Sequence, residues 1–289
     1  MEWLAVHVTT DREAAESVAE VFSRYAPSGV AIDMGTEDEA PLVTVMAYLV
    51  VDETLSAKVH EIEEALWHLQ QIKSVSDPAY TRVADQDWTA RWKETLPVLH
   101  VGERLVIKPS WRDYTRASNE IILEIDPGQA FGTGLHPTTQ VCLRALEQQI
   151  EPGMQILDLG TGSGILAIAA AKLANVDILA IDIDPKAATA ARANVRVNEV
   201  TDTVRVRHGT LQDIDTAYDL ILANLLSSIL VRMADEGLVE FLHPAGKIVA
   251  SGILEEQLPE VTAAFRSNHM RTVDILQQDD WVAVIAEVL

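Results

Sequence analysis

Apolar positions follow a regular alternation in the second half of the chain. Short apolar runs alternate with segments whose apolar residues recur every three or four positions. The runs predict strands over residues 155–159, 178–183, 204–208, 220–223, 247–251, 272–276 and 281–289, and the segments between them predict helices over 165–174, 185–198, 229–242 and 255–267. Strands that alternate with helices build a mostly parallel sheet with helices on both faces, so the pattern predicts a doubly wound α/β domain.

The first 73 residues follow a different order. Apolar runs at 3–8, 30–33 and 43–51 predict strands, and helical spacing over 11–25 and 55–72 predicts two helices. The order β-α-β-β-α indicates a small α+β, ferredoxin-like domain over residues 1–73. Pro78 and Pro97 interrupt the pattern, so we predict a linker over residues 74–100 with a short helix at 88–93. Strands at 101–108 and 120–125 then open the larger domain, residues 101–289.

Charge adds a constraint on partners. The 289 residues include 44 Asp and Glu against 22 Lys and Arg, which gives a net charge of -22. Residues 1–53 carry 11 acidic and two basic side chains, a net charge of -9. A surface this acidic repels the phosphate backbone of nucleic acids and attracts basic proteins. The charge therefore disfavours direct nucleic-acid binding and favours a basic protein partner.

Cysteine usage and hydropathy indicate the compartment. The single cysteine, Cys142, cannot form an internal disulfide and suits a reducing environment. The longest apolar run covers residues 165–171, whereas a membrane-spanning helix needs about 20 residues. The chain starts without a basic region followed by an apolar run, and it has no Cys/His cluster with metal-ligand spacing. We therefore expect a cytoplasmic protein without a membrane contact or a metal site.

The clearest chemical motif is Asp158-Leu-Gly-Thr-Gly-Ser-Gly164, which follows a predicted strand and opens a predicted helix. Glycine permits a tight turn and lets the backbone approach a ligand closely. Dinucleotide sites favour the spacing G-x-G-x-x-G. Here glycines stand at 160, 162 and 164, and this spacing with the preceding acid is typical of class I S-adenosylmethionine-dependent methyltransferases.

Two polar residues stand at the ends of later strands. Asp182 lies 22 positions after Gly160, where a carboxylate can accept two hydrogen bonds from a ribose diol. Asp184 is better explained as a helix N-cap, with Pro185 at the first helical position. Asn224 ends another predicted strand, and open α/β sheets bind ligands at the carboxyl ends of their strands. Asn224 is therefore a candidate functional residue.

A family resemblance rests on these motifs together. Residues 131–139 (Phe-Gly-Thr-Gly-Leu-His-Pro-Thr-Thr), 158–164, 181–185 (Ile-Asp-Ile-Asp-Pro), 224–225 and 251–254 resemble the ribosomal protein L-eleven methyltransferase family. The resemblance implies a Rossmann-like class I methyltransferase fold and S-adenosylmethionine as cofactor. It also implies methylation of lysine ε-amines and the N-terminal α-amine of ribosomal protein L-eleven, a basic partner that the acidic N-terminal domain would recognise.

The resemblance also implies roles for individual residues. Cofactor contacts fall on Thr139, Gly160, Asp182 and Asn224, with Gly162 in the glycine loop and Phe131 near the methionine end of the cofactor. As catalytic groups, the Asn224 side-chain oxygen and the Leu225 carbonyl would accept hydrogen bonds from the target amine. The position of Asn224 resembles the first residue of the Asn/Asp-Pro-Pro-aromatic motif of amino-methyltransferases, but the prolines and the aromatic residue are absent here. His136 is predicted to be structural, and no general base is evident.

Three other functions stay open at this stage. A methyltransferase acting on a glutamine amide of a translation factor would usually show an intact Asn-Pro-Pro-Tyr. A non-catalytic assembly protein would bind the cofactor without transferring a methyl group. A dinucleotide-dependent oxidoreductase is opposed by the glycine spacing. We expect the chain to act as a monomer.

Overall fold

A computed structural model of the protein describes residues 2–26, 30–33, 42–70, 73–84, 97–125, 132 and 134–289. The chain divides by packing into two units, Met1–Leu96 and Pro97–Leu289. The predicted helix at 88–93 and the predicted cofactor residue Phe131 lie outside the described residues.

The first unit has the element order β-α-β-β-α-β. Its elements are β1 (Glu2–Asp11), α1 (Arg12–Ser23), β2 (Val30–Asp33), β3 (Leu42–Val50), α2 (Leu55–Gln70) and β4 (Ala79–Ala84). The sheet has the order β2-β3-β1-β4, and all its neighbouring strands are antiparallel. The first five elements follow the predicted order, and the ferredoxin-like classification of this unit stays a prediction.

Local sequence explains the elements of this unit. The Asp11 carboxylate accepts a hydrogen bond from the Ala14 amide, at 2.7 Å, and so caps the start of α1. Strand β3 alternates buried and less buried positions, with Val43, Val45 and Leu49 facing the core. Because alternate side chains of a strand point to opposite faces, this pattern buries one face of the sheet beneath the helices.

Strand β4 corrects the predicted linker. Residues 79–84 pair with β1 from His7 to Glu2, so they belong to the first sheet rather than to a connector. The strand lies at the sheet edge, and its Thr81 and Arg82 are exposed. An edge strand of six residues that follows Pro78 carries a weak apolar alternation, which explains why the sequence pattern did not identify it.

The second unit contains the predicted α/β alternation. Its elements are β5 (Leu99–Val101), β6 (Leu105–Lys108), β7 (Ile121–Glu124), α3 (Pro137–Gln149), β8 (Gln155–Leu159), α4 (Ile165–Leu173), β9 (Asp177–Asp182), α5 (Pro185–Val197), β10 (Val204–His208), β11 (Tyr218–Asn224), α6 (Ser227–Asp235), β12 (Leu242–Leu254), α7 (Leu258–Ser267), β13 (Met270–Gln278) and β14 (Trp281–Val288). Short 3₁₀ turns cover Leu211–Asp213, Leu238–Phe241 and Glu255–Gln257.

The large sheet has seven strands in the order β10-β9-β8-β11-β12-β14-β13. The first five are parallel, and β14 runs antiparallel to both β12 and β13. One buried apolar cluster lies on each face: Ile156 of β8 belongs to one, and Leu157 belongs to the other. The predicted mostly parallel, doubly wound α/β fold is therefore confirmed.

Two predicted elements of this unit are divided. The predicted strand at 101–108 is a hairpin, because Gly102 adopts a positive φ of 66° and turns β5 back onto β6. The predicted helix at 229–242 ends at Asp235, since Gly237 has a φ of 95° that a helix cannot continue. None of the helices in the described part of the chain combines the length and apolar composition that crossing a membrane requires.

Candidate active site

The predicted site residues that the structure describes meet at one edge of the large sheet. Strands β8, β9 and β11 end at Leu159, Asp182 and Asn224, and β8 lies between β9 and β11. The chain order of the strands reverses at β8, since β9 follows on one side and β11 on the other. A crevice forms at the carboxyl ends of strands where such a reversal occurs.

The glycine loop between β8 and α4 needs its glycines. Gly160, Gly162 and Gly164 have φ values of 71°, 55° and 85°, in the left-handed region that side chains disfavour. A Cβ on Gly160 would stand 2.5 Å from Cδ2 of Leu225, and one on Gly164 would stand 3.3 Å from Cα of Ala191. The loop backbone is therefore packed closely on two neighbouring segments.

Asp182 ties the glycine loop to the end of β9. Its Oδ2 accepts a hydrogen bond from the Gly162 amide at 2.8 Å, and its Oδ1 accepts one from the Asp184 amide at 2.9 Å. The amides of Gly160 and Thr161 both donate to the Ile181 carbonyl at 2.9 Å. Each oxygen of a carboxylate can accept more than one hydrogen bond, so Asp182 keeps acceptor capacity for a diol.

Asp158 lies buried beneath the same loop. Its Oδ2 accepts hydrogen bonds from Thr161 Oγ1 at 2.5 Å and from the Ala167 amide at 3.2 Å, whereas its buried Oδ1 has no hydrogen-bond partner. Burial raises the pKa of Asp158 to about 7; the bonds from Thr161 and Ala167 oppose this rise, and the charge of Asp182 adds to it. Because buried polar atoms are normally paired, the unpaired Oδ1 of Asp158 indicates that a bound group interacts with it. A cationic group would suit a carboxylate. In the sequence, Asp158 stood out only as the acid that precedes the glycine loop.

Thr139 and Asn224 meet on the other side of the loop. The Asn224 Nδ2 group donates to Thr139 Oγ1 at 3.2 Å, although the two residues are 85 positions apart. Thr139 is fully buried and Asn224 is half-buried. Because the amide nitrogen has this partner, the bond orients the amide and leaves the side-chain oxygen as the free acceptor.

Leu225 connects the two sides. Its side chain packs on Gly160, and its amide donates to the Ser251 carbonyl at 3.0 Å. Gly252 has a φ of 86°, and a Cβ there would stand 2.2 Å from the Leu225 carbonyl oxygen. Glycine at 252 is therefore needed for the position of that carbonyl.

Two features beside these residues had no role assigned from the sequence, although residues 181–185 and 251–254 contributed to the family resemblance. The hydroxyl of the fully buried Ser251 lies 3.1 Å from the carbonyl oxygens of both Thr138 and Val282, so it joins three segments behind Asn224. Ile183 directly follows Asp182, and Leu226 stands two positions after Asn224; they are 72% and 65% exposed. A polar residue inside an apolar strand is a detectable signal for Ser251, whereas exposure of an apolar residue cannot be read from sequence.

His136 has structural contacts. Its Nδ1 accepts from the Thr138 amide at 3.3 Å and lies 2.8 Å from Thr138 Oγ1, so the imidazole caps α3. The ring packs edge-to-face on Trp281 at a centroid distance of 5.0 Å. Burial lowers the pKa of His136. These contacts support the predicted structural role of this residue.

Comparisons with known proteins agree with this geometry. A family model described as ribosomal protein L11 methyltransferase (PrmA) matches residues 2–288. A ribosomal protein L11 methyltransferase of Chloroflexus aurantiacus is 41% identical and covers 98% of this chain and 97% of its own. A protein of the same name from Listeria innocua is 36% identical and covers 99% of both chains.

A solved structure matches the larger part of the chain. The crystal structure of a ribosomal protein L11 methylase from Lactobacillus delbrueckii subsp. bulgaricus is 33% identical and has a TM-score of 0.59. The match covers 65% of this chain and 96% of the other. The strand order, the glycine loop and these matches agree, and the chain is a methyltransferase that belongs to the ribosomal protein L11 methyltransferase family.

Proposed function

We propose that the protein methylates lysine ε-amines and the N-terminal α-amine of ribosomal protein L11, at the crevice formed by β8, β9 and β11. S-adenosylmethionine is the methyl donor of this methyltransferase. The observation that carries the proposal is the meeting of the glycine loop and Asp182 with the Asn224–Thr139 pair at one sheet edge. The glycine loop and Asp182 suit binding of the methyl donor, and the Asn224–Thr139 pair suits binding of the target amine.

The donor side of the crevice fits a cationic nucleoside. Asp182 has free acceptor capacity for the ribose hydroxyls, and the exposed Ile183 beside it offers an apolar surface to a base. The backbone of Gly160 and Gly162 can approach the methionine portion closely because no Cβ intervenes. The orphan Oδ1 of Asp158 favours positive charge nearby. When bound, the donor supplies an electrophilic methyl group on a sulfonium centre.

The acceptor side must present a neutral amine. A lysine with a pKa of about 10.4 is neutral in about one molecule per thousand near pH 7.4, which costs roughly 4 kcal/mol. Loss of water around the amine lowers its pKa, so the crevice itself favours the reactive form. The amine's protons would bond to Asn224 Oδ1 and the Leu225 carbonyl, which aims its lone pair at the methyl carbon. Such alignment supplies several kcal/mol of the barrier reduction.

The first unit would capture the substrate. Its helix α2 exposes Glu61, Glu63 and Glu64, together with Trp67, which is 56% exposed. Carboxylates of one sign attract a lysine-rich protein and raise the association rate more than the affinity. Capture should weaken as salt rises, because a Debye length of about 8 Å at physiological salt screens exposed charges. Salt-independent binding would contradict this role.

Further expectations follow from the substrate and the charge. A ribosomal protein substrate implies action in the cytoplasm. The net charge of -22 supports binding of a basic protein without a direct nucleic-acid contact. We propose that one chain acts as a monomer, with the first unit, which includes β4, as its substrate-recognition domain and the second unit as its methyltransferase domain.

The experiment combines labelled S-adenosylmethionine with total ribosomal protein, followed by mass mapping of the labelled product. Asn224→Ala should slow methyl transfer, and Asp182→Ala should weaken donor binding. Asp184→Ala is the matched control, because that neighbouring carboxylate caps α5 through the Lys186 amide at 2.8 Å. A wild-type rate of methyl transfer in Asn224→Ala together with wild-type donor binding in Asp182→Ala would refute the assignment of these two residues to the site. Label on a glutamine amide, or donor binding without label, would indicate another function.

A further inference from the structure

Two buried asparagine side chains lie on and just beyond helix α5. Asn194 and Asn198 are each 5% exposed and stand one helical turn apart. The site described above uses neither residue. A buried amide is costly unless its donors and acceptors are paired, so the partners of these two side chains indicate what they hold.

Asn194 bonds to the glycine loop. Its Nδ2 donates to the Ser163 carbonyl at 2.9 Å. Ser163, which is 2% exposed, donates from its own hydroxyl to the Gly132 carbonyl at 2.5 Å. The loop is thereby connected on one side to α5 and on the other to Gly132, the residue that begins the Gly-Thr-Gly sequence.

Asn198 extends the connection to β7. Its Nδ2 donates to the carbonyls of Asn194, at 2.9 Å, and Glu124, at 2.6 Å, and its Oδ1 accepts from the Glu124 amide at 2.9 Å. Strands β5, β6 and β7 form a separate three-stranded sheet in that order, so β7 lies at its edge and this side chain pairs with a free strand edge. Two bonds to one residue fix both distance and orientation.

We infer that Asn194 and Asn198 are positioning residues for donor binding, because they hold the glycine loop at a fixed place between β7 and Gly132. The inference rests on the proposed function, since it requires the donor to bind at this loop. The hydrogen bonds of both side chains lead to the donor side and not to Asn224. Their loss should therefore change donor affinity more than the rate of methyl transfer at saturating donor.

The test measures S-adenosylmethionine affinity by calorimetry and kcat at saturating donor for Asn194→Ala and Asn198→Ala. Asn194→Ala loses one hydrogen bond to a buried partner and should weaken donor affinity about tenfold, and Asn198→Ala, which loses three, should weaken it at least as much. The control is Asn268→Ala. Asn268 also follows a helix, and its Nδ2 also donates to the carbonyl four residues earlier, that of Ala264, at 2.9 Å. This control should lose stability with unchanged donor affinity.

A double-mutant cycle separates positioning from general destabilisation. Ser163→Ala keeps the carbonyl that Asn194 bonds and removes the hydroxyl bond to Gly132. If both bonds fix the same loop, the donor affinity lost in the Asn194→Ala/Ser163→Ala double variant should be smaller than the sum of the single losses. Asn198→Ser keeps a hydroxyl that can donate to the Asn194 carbonyl four residues earlier, so it should be milder than Asn198→Ala and serves if the latter does not fold. Wild-type donor affinity in folded variants, or equal losses in Asn268→Ala, would overturn the inference. Failure of the wild-type protein to bind the donor would instead overturn the proposed function.

Discussion

The orientation of the Asn224 amide should depend on one hydroxyl, that of Thr139. Thr139→Val keeps the shape of the side chain and removes only the hydroxyl, which is the acceptor that lies 3.2 Å from Asn224 Nδ2. A neutral hydrogen bond contributes about 1 kcal/mol. Without it the amide can rotate and present Nδ2 to the amine. We expect kcat to fall about fivefold, the factor that corresponds to 1 kcal/mol.

Steady-state methylation of purified substrate with labelled donor measures this effect, and calorimetry measures donor affinity separately. Thr138→Val is the matched control: this neighbouring threonine is also buried, but its hydroxyl faces His136 Nδ1 at 2.8 Å. It should lower the melting temperature and leave kcat close to that of the wild type. If Thr139→Val kept the wild-type kcat while Asn224→Ala was impaired, the orientation argument would be refuted.

Three other changes test neighbouring parts of the site. Gly160→Ala places a Cβ 2.5 Å from Leu225 and should weaken donor affinity more than tenfold by calorimetry. Gly153→Ala has a similar φ, 89°, with open space around it, so it should cost stability alone; equal donor losses would refute the steric argument. Gly252→Ala, 2.2 Å from the Leu225 carbonyl oxygen, should lower kcat more than donor affinity, and the reverse order would contradict the role of that carbonyl. Burial raises the pKa of Asp158 to about 7. Between about pH 4 and pH 7 the folded protein therefore keeps a proton on Asp158 that the unfolded chain has lost. The contribution of Asp158 to the free energy of unfolding falls as pH rises through this range. A cationic donor favours the ionised form of Asp158, so donor affinity should rise from pH 6 to pH 8, and donor binding should release protons. Asp158→Asn should flatten this pH dependence, and an unchanged slope in that variant would contradict the role of Asp158.

Strong periodic patterns predicted the large sheet. Strand β8 spans Gln155–Leu159, as predicted, because an apolar run ends there in a glycine loop. Strand β4 and the β5–β6 hairpin were not identified, since an edge strand needs little apolar surface and a single glycine at 102 can reverse the chain. These features depend on pairing with distant strands, which local periodicity does not encode.

Site residues at strand ends could be predicted individually, and their partners could not. Parallel strands place their carboxyl ends at one edge, so Asp182 and Asn224 were expected to be close to the glycine loop. That Asn224 bonds to Thr139 depends on how α3 packs against the sheet, 85 positions earlier in the chain. The orphan oxygen of Asp158 likewise results from packing, because its burial is a property of the folded core.

Leu225 makes the two sides of the crevice dependent on each other. Its side chain packs on Gly160 of the donor side, and its carbonyl, set by Gly252, belongs to the acceptor side. A bulky residue at 160 would push Leu225 away from the loop and move its carbonyl along with it. A substitution at Asp182 has no such route, since its bonds lead to Gly162 and Asp184. Gly160→Ala should therefore lower kcat as well as donor affinity, whereas Asp182→Ala should lower donor affinity alone; identical kcat values for the two variants would show that Leu225 transmits nothing.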